Sequence, residues 1–157
     1  MDNGEIFATV QKRAIIPIPR NPKTDTFPWN EITTHGTTPS ARYGHSSILY
    51  DGQMVIFGGD SGGKKNDVLT LDLNSYAWTQ LTTYGQTPSG RDEYSSILFD
   101  GKMVIFGGHD GSYKNDTWTL DLTQSPAVWT QLPTTSTSGT TPSAVSYTHL
   151  RAHETKR

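Results

Sequence analysis

The sequence predicts an all-β protein built from two repeated units, each a four-stranded antiparallel meander. Three observations support this: a block that recurs 49 positions later, short apolar runs, and Asp-Gly pairs between those runs. From position 29 to 75, 28 of 47 residues are identical to the residue 49 positions further on. Self-similarity at a fixed period is typical of stacked structural units, so each copy should form one unit of the fold.

The first two strands of the first copy form a hairpin. SSILY at 46–50 is a short strand candidate, and the following Asp51-Gly52 pair predicts a tight hairpin turn because such turns need a positive φ. MVIFGG at 54–59 is continuously apolar, as expected of a strand buried on both faces. The glycine pair that closes it should let another backbone or a bulky aromatic approach closely. Candidates for that space are Trp29, Trp78 and Trp129.

The third and fourth strands complete the meander. VLTLDL at 68–73 alternates, which predicts that its leucines face inward and that Thr70 and Asp72 face outward. WTQL at 78–81 is the fourth strand candidate. The second copy repeats the set. Its strand candidates are SSILF at 95–99, MVIFGG at 103–108 after Asp100-Gly101, TWTLDL at 117–122 and WTQL at 129–132.

Several of these motifs resemble kelch repeats. They are the double glycine after an apolar strand, the Asn-Asp pair that opens the next strand, the tryptophan that follows, and TPSARYGHSSILYDG at 38–52. Kelch repeats form β-propellers with four strands per blade and a period near ~50 residues. The resemblance covers residues 29–144. It implies blades at about 42–83 and 91–133, preceded by an outer strand at 29–34. Because a propeller needs roughly four to eight blades, two make an incomplete one.

The resemblance weakens at two points and ends at a third. Leu69 stands where the family often has an aromatic residue, and Asp-Glu-Tyr at 92–94 replaces the Gly-His pair that the first copy keeps at 44–45. The run VSYTHLRAHET at 145–155 matches nothing in the repeat and resembles one reading frame of a sequencing adapter. We therefore expect 145–157 to be a non-native tail, with a natural basic tail as the alternative, and we expect residues 1–28 to be a leader of low order.

Composition limits the classes of function. The net charge is −2, there is no cysteine, and no apolar run approaches the ~20 residues that span a bilayer. Without a basic block, nothing suggests a nucleic-acid or membrane partner. Disulfides and thiolate metal sites are excluded. We expect a cytoplasmic protein without a cofactor.

No catalytic or metal-binding motif stands out. GGDSGGKK at 58–65 nearly spells a phosphate-binding loop, but that loop requires a following helix, and a strand is predicted here. The histidines have no zinc-ligand spacing, and His45 near Ser46-Ser47 has no evident orienting acid for a nucleophilic triad.

Two classes of function stay open. The first is a non-catalytic protein–protein interaction module, an adaptor or scaffold whose partner is unknown and whose two blades should self-associate. The alternative is part of a kelch-propeller enzyme, galactose-oxidase-like or a sugar isomerase, whose active site lies in missing blades. Fold alone does not decide between them.

The predicted binding surface lies on the loops that differ most between the copies, at 33–44, 60–67, 82–93 and 109–116. Loops held on a rigid scaffold usually carry recognition, and loops also vary simply because little constrains them. The predicted partner-binding residues are His35, Arg42, Tyr43, Lys64, Lys65, Tyr84, Arg91, Asp92, Glu93, His109, Asp110 and Tyr113.

Overall fold

The computed structural model describes residues 30–133 and 143–144, and in this part the chain forms two five-stranded sheets. Both sheets belong to the unit Ile32–Arg157. The predicted leader at 1–28, Trp29 and the predicted tail at 145–157 lie outside the described residues. The strands are β1 (His35–Gly36), β2 (Ser46–Tyr50), β3 (Gln53–Phe57), β4 (Val68–Asp72), β5 (Ala77–Gln80), β6 (Thr83–Gly85), β7 (Ser95–Phe99), β8 (Lys102–Phe106), β9 (Thr117–Asp121) and β10 (Ala127–Leu132).

Each sheet contains the predicted antiparallel meander. In the first blade the strand order is β1-β5-β4-β3-β2, and in the second it is β6-β10-β9-β8-β7. The hairpin turns also follow the prediction. Asp51 and Gly52 have φ values of 46° and 71°, and Asp100 and Gly101 have 48° and 69°, the left-handed region that a two-residue turn of this kind needs. The prediction of all-β propeller blades that do not close a ring is confirmed.

A fifth strand at the outer edge of each sheet was not predicted. β1 and β6 pair in parallel with the fourth strands β5 and β10. β6 follows β5 closely in the chain but pairs in the second sheet, so the chain changes blade between Gln80 and Thr83. The outer strand predicted at 29–34 differs from the structure too. Residues 30–34 form no strand, and pairing starts at His35.

The main core lies between the two blades. The face of the first sheet that carries Ile48, Val55, Phe57 and Val68 packs against a face of the second sheet. The second sheet contributes Met103, Ile105, Trp118, Leu120 and Trp129. Phe57 is fully buried, with its ring centroid 5.0 Å from that of Trp129 and 5.5 Å from that of Tyr94. One blade therefore buries its apolar face against the next.

This packing explains why the predicted alternation of β4 is wrong. Thr70 pairs with Val55 and shares its face, so it is buried under the second blade although it was expected to point outward. Leu73 was expected to face inward, but it follows the end of β4 and is exposed. A polar residue at an alternate position indicates a solvent face only when the sheet has one.

The double glycines allow close approach, but tryptophan is not what approaches. A Cβ on Gly58 would lie 2.6 Å from the carbonyl oxygen of Arg91, and one on Gly59 would lie 2.9 Å from that of Tyr43. Neighbouring backbone therefore occupies the space, and both glycines have a positive φ. Trp129 instead packs on the ring of Phe57.

The equivalent phenylalanines give a test of blade packing. Phe57 is covered by the second blade, whereas Phe106 is only half-buried on the outward face of that blade. We expect Phe57→Ala to cost about 3–5 kcal/mol of unfolding free energy and Phe106→Ala only about 1–2 kcal/mol. Urea melts of both variants measure this, and equal losses would contradict the packing described.

The outward face of the second blade should promote self-association. Ile97 and Phe99 are 61% and 70% exposed, whereas Ile48, the first-blade equivalent of Ile97, is 8% exposed beneath the second blade. Exposed apolar patches of this kind favour association. We expect the chain to form concentration-dependent oligomers in sedimentation velocity, and Ile97→Thr with Phe99→Thr to shift it toward monomer. Tyr43→Thr, an equally exposed residue away from this face, should change nothing.

Candidate binding face at the loop ends of the sheets

The loops after the double glycines and the segments before the inner strands meet at one end of the two sheets. Tyr43 and Asp60 exchange backbone hydrogen bonds of 3.1 and 2.9 Å, and Asp92 and His109 exchange the equivalent pair at the same distances. We call this end, formed by residues 40–45, 58–67, 89–94 and 107–116, the loop face. It lies opposite the Asp-Gly turns, because each double glycine ends the strand that such a turn begins.

An arginine fixes the loop in each blade. Arg42 donates from Nη1 and Nη2 to the two carboxylate oxygens of Asp67, at 2.6 and 3.0 Å, and from Nη1 to the carbonyl oxygen of Gly58 at 2.9 Å. Arg91 makes the same contacts with Asp116 and Gly107, at the same distances. These bidentate pairs join the segment before each inner strand to the start of the third strand, and so close the loop.

The two arginines therefore lie inside the scaffold and do not form the predicted binding surface. Their side chains are only 4% and 1% exposed, for Arg42 and Arg91 respectively. The physical reason is that each arginine donates to five acceptor atoms of its own blade and so has few donors left for a partner.

Lys64 and Asp92 also have structural contacts that the sequence analysis did not predict. The Lys64 ammonium of the first blade lies 2.5 Å from a carboxylate oxygen of Asp92 in the second blade and 3.1 Å from one of Asp60. Desolvation lowers the pKa of Lys64, but the hydrogen bonds to Asp92 and Asp60 outweigh it, so the pKa lies above its usual value. The Asp92 side chain is 3% exposed. The pair thus joins the blades.

Backbone hydrogen bonds join the blades at the same place. Gly59 N–H donates to the carbonyl oxygen of Arg91 at 2.8 Å, and Arg91 N–H donates to that of Lys65 at 3.1 Å. Glu93 N–H donates to the carbonyl oxygen of Gly44 at 2.9 Å. The first-blade loop at 58–67 is therefore hydrogen-bonded to the segment that leads into the second blade.

The sequence did not predict that Tyr94 of the second blade contacts the first blade. Its hydroxyl donates to the carbonyl oxygen of Phe57 and accepts from Ser46 N–H at 3.1 Å, so one side chain bridges two strands of the other blade. Burial raises the pKa of this hydroxyl, which keeps its proton available for donation. The one indication in the sequence was that residues 92–94 differ from the equivalent residues 43–45, and this difference did not predict a hydrogen bond between the blades.

His35 and Tyr84 lie away from the loop face, contrary to the prediction. His35 N–H donates to the carbonyl oxygen of Tyr76 at 3.2 Å, in the turn between β4 and β5. Tyr84 lies at the Asp-Gly end of the second sheet. It pairs with Val128, and in the next two strands the residues in line with it are Asp121 and Lys102, which follows the Asp-Gly turn. Both residues follow the fourth-strand position of the repeat, but β1 and β6 run along the outer sheet edge and carry them to the opposite end.

The accessible part of the loop face is aromatic and charged. Tyr43 is 63% and Tyr113 56% exposed, while Lys65, Glu93 and His109 are partly exposed. The His109 and Tyr113 rings contact each other with centroids 5.3 Å apart.

Asp110 binds Lys114 at 2.9 Å and accepts from Ser89 Oγ at 2.6 Å. Burial raises the pKa of Asp110, but these hydrogen bonds, with one from Ser112, bring it well below its usual value.

A cleft of roughly 470 Å³ opens on the loop face between the blades. Its lining comes from equivalent positions of the two copies, which are Tyr43, Gly44, His45 and Ser46 of the first blade and Glu93 and Tyr94 of the second. Within 30–133 and 143–144, no group of three or more histidine or acidic side chains is placed to hold a metal ion. Across the same residues, no helix is long and apolar enough to cross a membrane.

Stacked meander blades with variable loops at one end define a repeat protein of the β-propeller class. A family model described as the KLHDC2/KLHL20/DRC7 Kelch-repeats domain matches residues 22–156, most of the chain. The chain therefore belongs to the kelch-repeat family, as the sequence predicted. The match extends over 145–156, and the adapter origin of that segment stays a prediction.

Comparison with curated proteins gives a short match. Tip elongation aberrant protein 3 of Schizosaccharomyces pombe strain 972 is 44% identical over 45 residues. That segment is 28% of this chain and 4% of the relative, so the chain spans only a small part of this relative. Kelch-repeat domains generally act in protein interaction or as scaffolds.

The Arg91–Asp116 pair predicts a large and pH-dependent loss of stability. Breaking a buried pair leaves an uncompensated charge and typically costs about 3–5 kcal/mol, so we expect a loss of this size for Asp116→Asn at pH 7. Lys102→Gln, which removes a 3.7 Å ion pair at an exposed site, should cost less than about 1 kcal/mol. Urea melts of the two variants make the comparison.

The pH dependence follows from the Asp116 carboxyl. Burial raises the pKa of this carboxyl, but the hydrogen bonds from Arg91 and Trp118 lower it by more than burial raises it. The folded-state pKa therefore lies below the unfolded value. The stability that this group contributes is complete above the unfolded pKa, near ~4, and is lost as the pH falls through the folded pKa. The difference between wild type and Asp116→Asn should therefore shrink in acid, and a constant difference would contradict the assignment.

Proposed function

We propose that this chain is a non-catalytic protein-interaction module of an adaptor or scaffold protein, and that a protein partner binds on its loop face. The observation that carries the proposal is the contrast between the copies. The arginine–aspartate contacts that hold the loops have the same partners and lengths in both blades, whereas the exposed loop residues differ. Such a rigid frame with variable exposed loops is what recognition requires.

The exposed residue types support a protein partner. Tyr43 and Tyr113 present large rings on the loop face. Tyrosine gives a large contact area with few rotatable bonds and is enriched among the residues that dominate binding energy. Lys65, Glu93 and His109 add partly exposed polar groups to the same face, which is the usual character of an interface rim. The family membership agrees with this role.

The structure offers a matched pair of tyrosines for the test. Tyr43 on the loop face and Tyr84 at the opposite end are 63% and 61% exposed. We expect Tyr43→Ser combined with Tyr113→Ser to weaken capture of a protein partner from lysate at least about tenfold, the effect of a lost interface anchor. Captured proteins are quantified by cross-linking and mass spectrometry, and urea melts should be unchanged.

Tyr84→Ser is the control, together with Gln53→Ser beside the Asp-Gly turn. Both should leave capture intact. If these two variants abolish capture and the loop-face pair does not, the binding surface lies at the other end of the blades.

A further inference from the structure

The cleft on the loop face contains a charged residue in an unusual backbone conformation. Glu93 has a φ of 54°, a region that residues other than glycine rarely adopt. Its equivalent in the first blade is Gly44, with a φ of 66°. The same bend is therefore formed by a glycine in the first blade and by a glutamate in the second. Strained backbone at a cleft motivates the hypothesis that the side chain has a use there.

The Glu93 carboxylate lacks a partner within the part of the chain that the structure describes. It makes no ion pair or side-chain hydrogen bond with any residue of 30–133 and 143–144. The side chain is partly exposed and lines the cleft beside Tyr94, facing a lining that includes Tyr43 and His45. A carboxylate at the wall of a cleft, paired with no cation among the described residues, is available to a cation from outside.

A second carboxylate adds negative charge behind the same wall. The Asp92 side chain is 3% exposed, and its Oδ1 atom is buried and accepts no hydrogen bond in the structure. A Cβ on the cleft-lining Gly44 would lie 2.8 Å from Asp92 Cβ and 3.5 Å from its carboxyl carbon. Lys64 is shared between Asp92 and Asp60, so one cation serves two carboxylates. These three side chains therefore carry one net negative charge.

We propose that this cleft binds an arginine side chain of the protein partner. The inference rests on the proposed function, because it names the chemistry that the loop face recognises. The guanidinium would pair with the Glu93 carboxylate, whose two oxygens match its planar fork. The exposed Tyr43 ring offers a π face for the same cation. Asp60, Lys64 and Asp92 together carry one net negative charge, which adds a weaker attraction.

Glu93→Gln and Glu93→Gly separate charge from folding. Glu93→Gln retains the side-chain shape and removes the charge. Glu93→Gly relieves the backbone strain as Gly44 does in the first blade, so we expect it to be at least as stable as wild type in urea. Asp100→Asn is the matched control, since it removes one negative charge at the opposite end and asparagine tolerates the left-handed conformation.

The probes are the capped tripeptide acetyl-Gly-Arg-Gly-amide and its citrulline and glutamate analogues. They are titrated to millimolar concentration into the full chain at low salt, and the backbone amides of 43–46 and 93–94 are followed by NMR. We expect the arginine probe to shift these amides and the analogues not to. Both Glu93 variants should weaken binding at least about tenfold, the value of a charged hydrogen bond, and Asp100→Asn should not. Added salt should weaken binding as well.

Three results would overturn the proposal: no shift of the cleft amides, equal shifts with the citrulline probe, or unchanged affinity in Glu93→Gln. Its failure is distinct from failure of the proposed function. If the arginine probe does not bind but the Tyr43 and Tyr113 variants still lose protein capture, the loop face binds a partner without this specificity for arginine. Arginine binding that succeeds while capture ignores the loop face confirms the cleft and refutes the wider surface.

Discussion

The loop face depends on one bidentate ion pair per blade. Arg42 holds Asp67, and Arg91 holds Asp116, with the same acceptors and the same lengths. Each guanidinium also donates to the carbonyl oxygen of the first glycine of its double glycine, so it fixes both ends of the loop. Because these arginines are nearly inaccessible, the pair is held at low local dielectric, where its attraction is strong and the loss of either partner is costly.

The same arginine segment connects loop position to blade packing. The backbone of Arg91 exchanges hydrogen bonds with Gly59 and Lys65 of the first blade, while its side chain binds within the second. A Cβ on Gly58 would lie 2.6 Å from the Arg91 carbonyl oxygen, so this junction cannot form with a larger residue there. Blade packing and the geometry of the cleft are therefore set by one set of contacts, and a change in packing must also change the cleft.

Much of the fold was predictable because the sequence contains two copies of the same strand and turn pattern. The strands β2 and β7 begin and end where their runs predicted, and the Asp-Gly turns have the predicted backbone. The predicted site was less accurate, since divergence between copies does not reveal whether a side chain is accessible. Arg91 and Asp92 are buried, and His35 and Tyr84 lie at the other end of the sheets. The burial of Arg91 and Asp92 depends on contacts with Asp116 and Lys64. The positions of His35 and Tyr84 depend on pairing at the outer sheet edge, and no local pattern encodes either kind of contact.

Divergence between the copies has two separable physical origins. Lys64 and Asp92 differ from their equivalents Tyr113 and Tyr43, and they meet each other across the junction between blades. Variation at such positions specifies which blade packs beside which, because a lysine in one blade requires an acceptor in its neighbour. Glu93 has no such explanation. Its side chain makes no hydrogen bond or ion pair with another described residue, yet its backbone is held in a region that favours glycine. A carboxylate held at the cleft in this conformation, with no ion pair to any described residue, is best explained by what it contacts outside the chain.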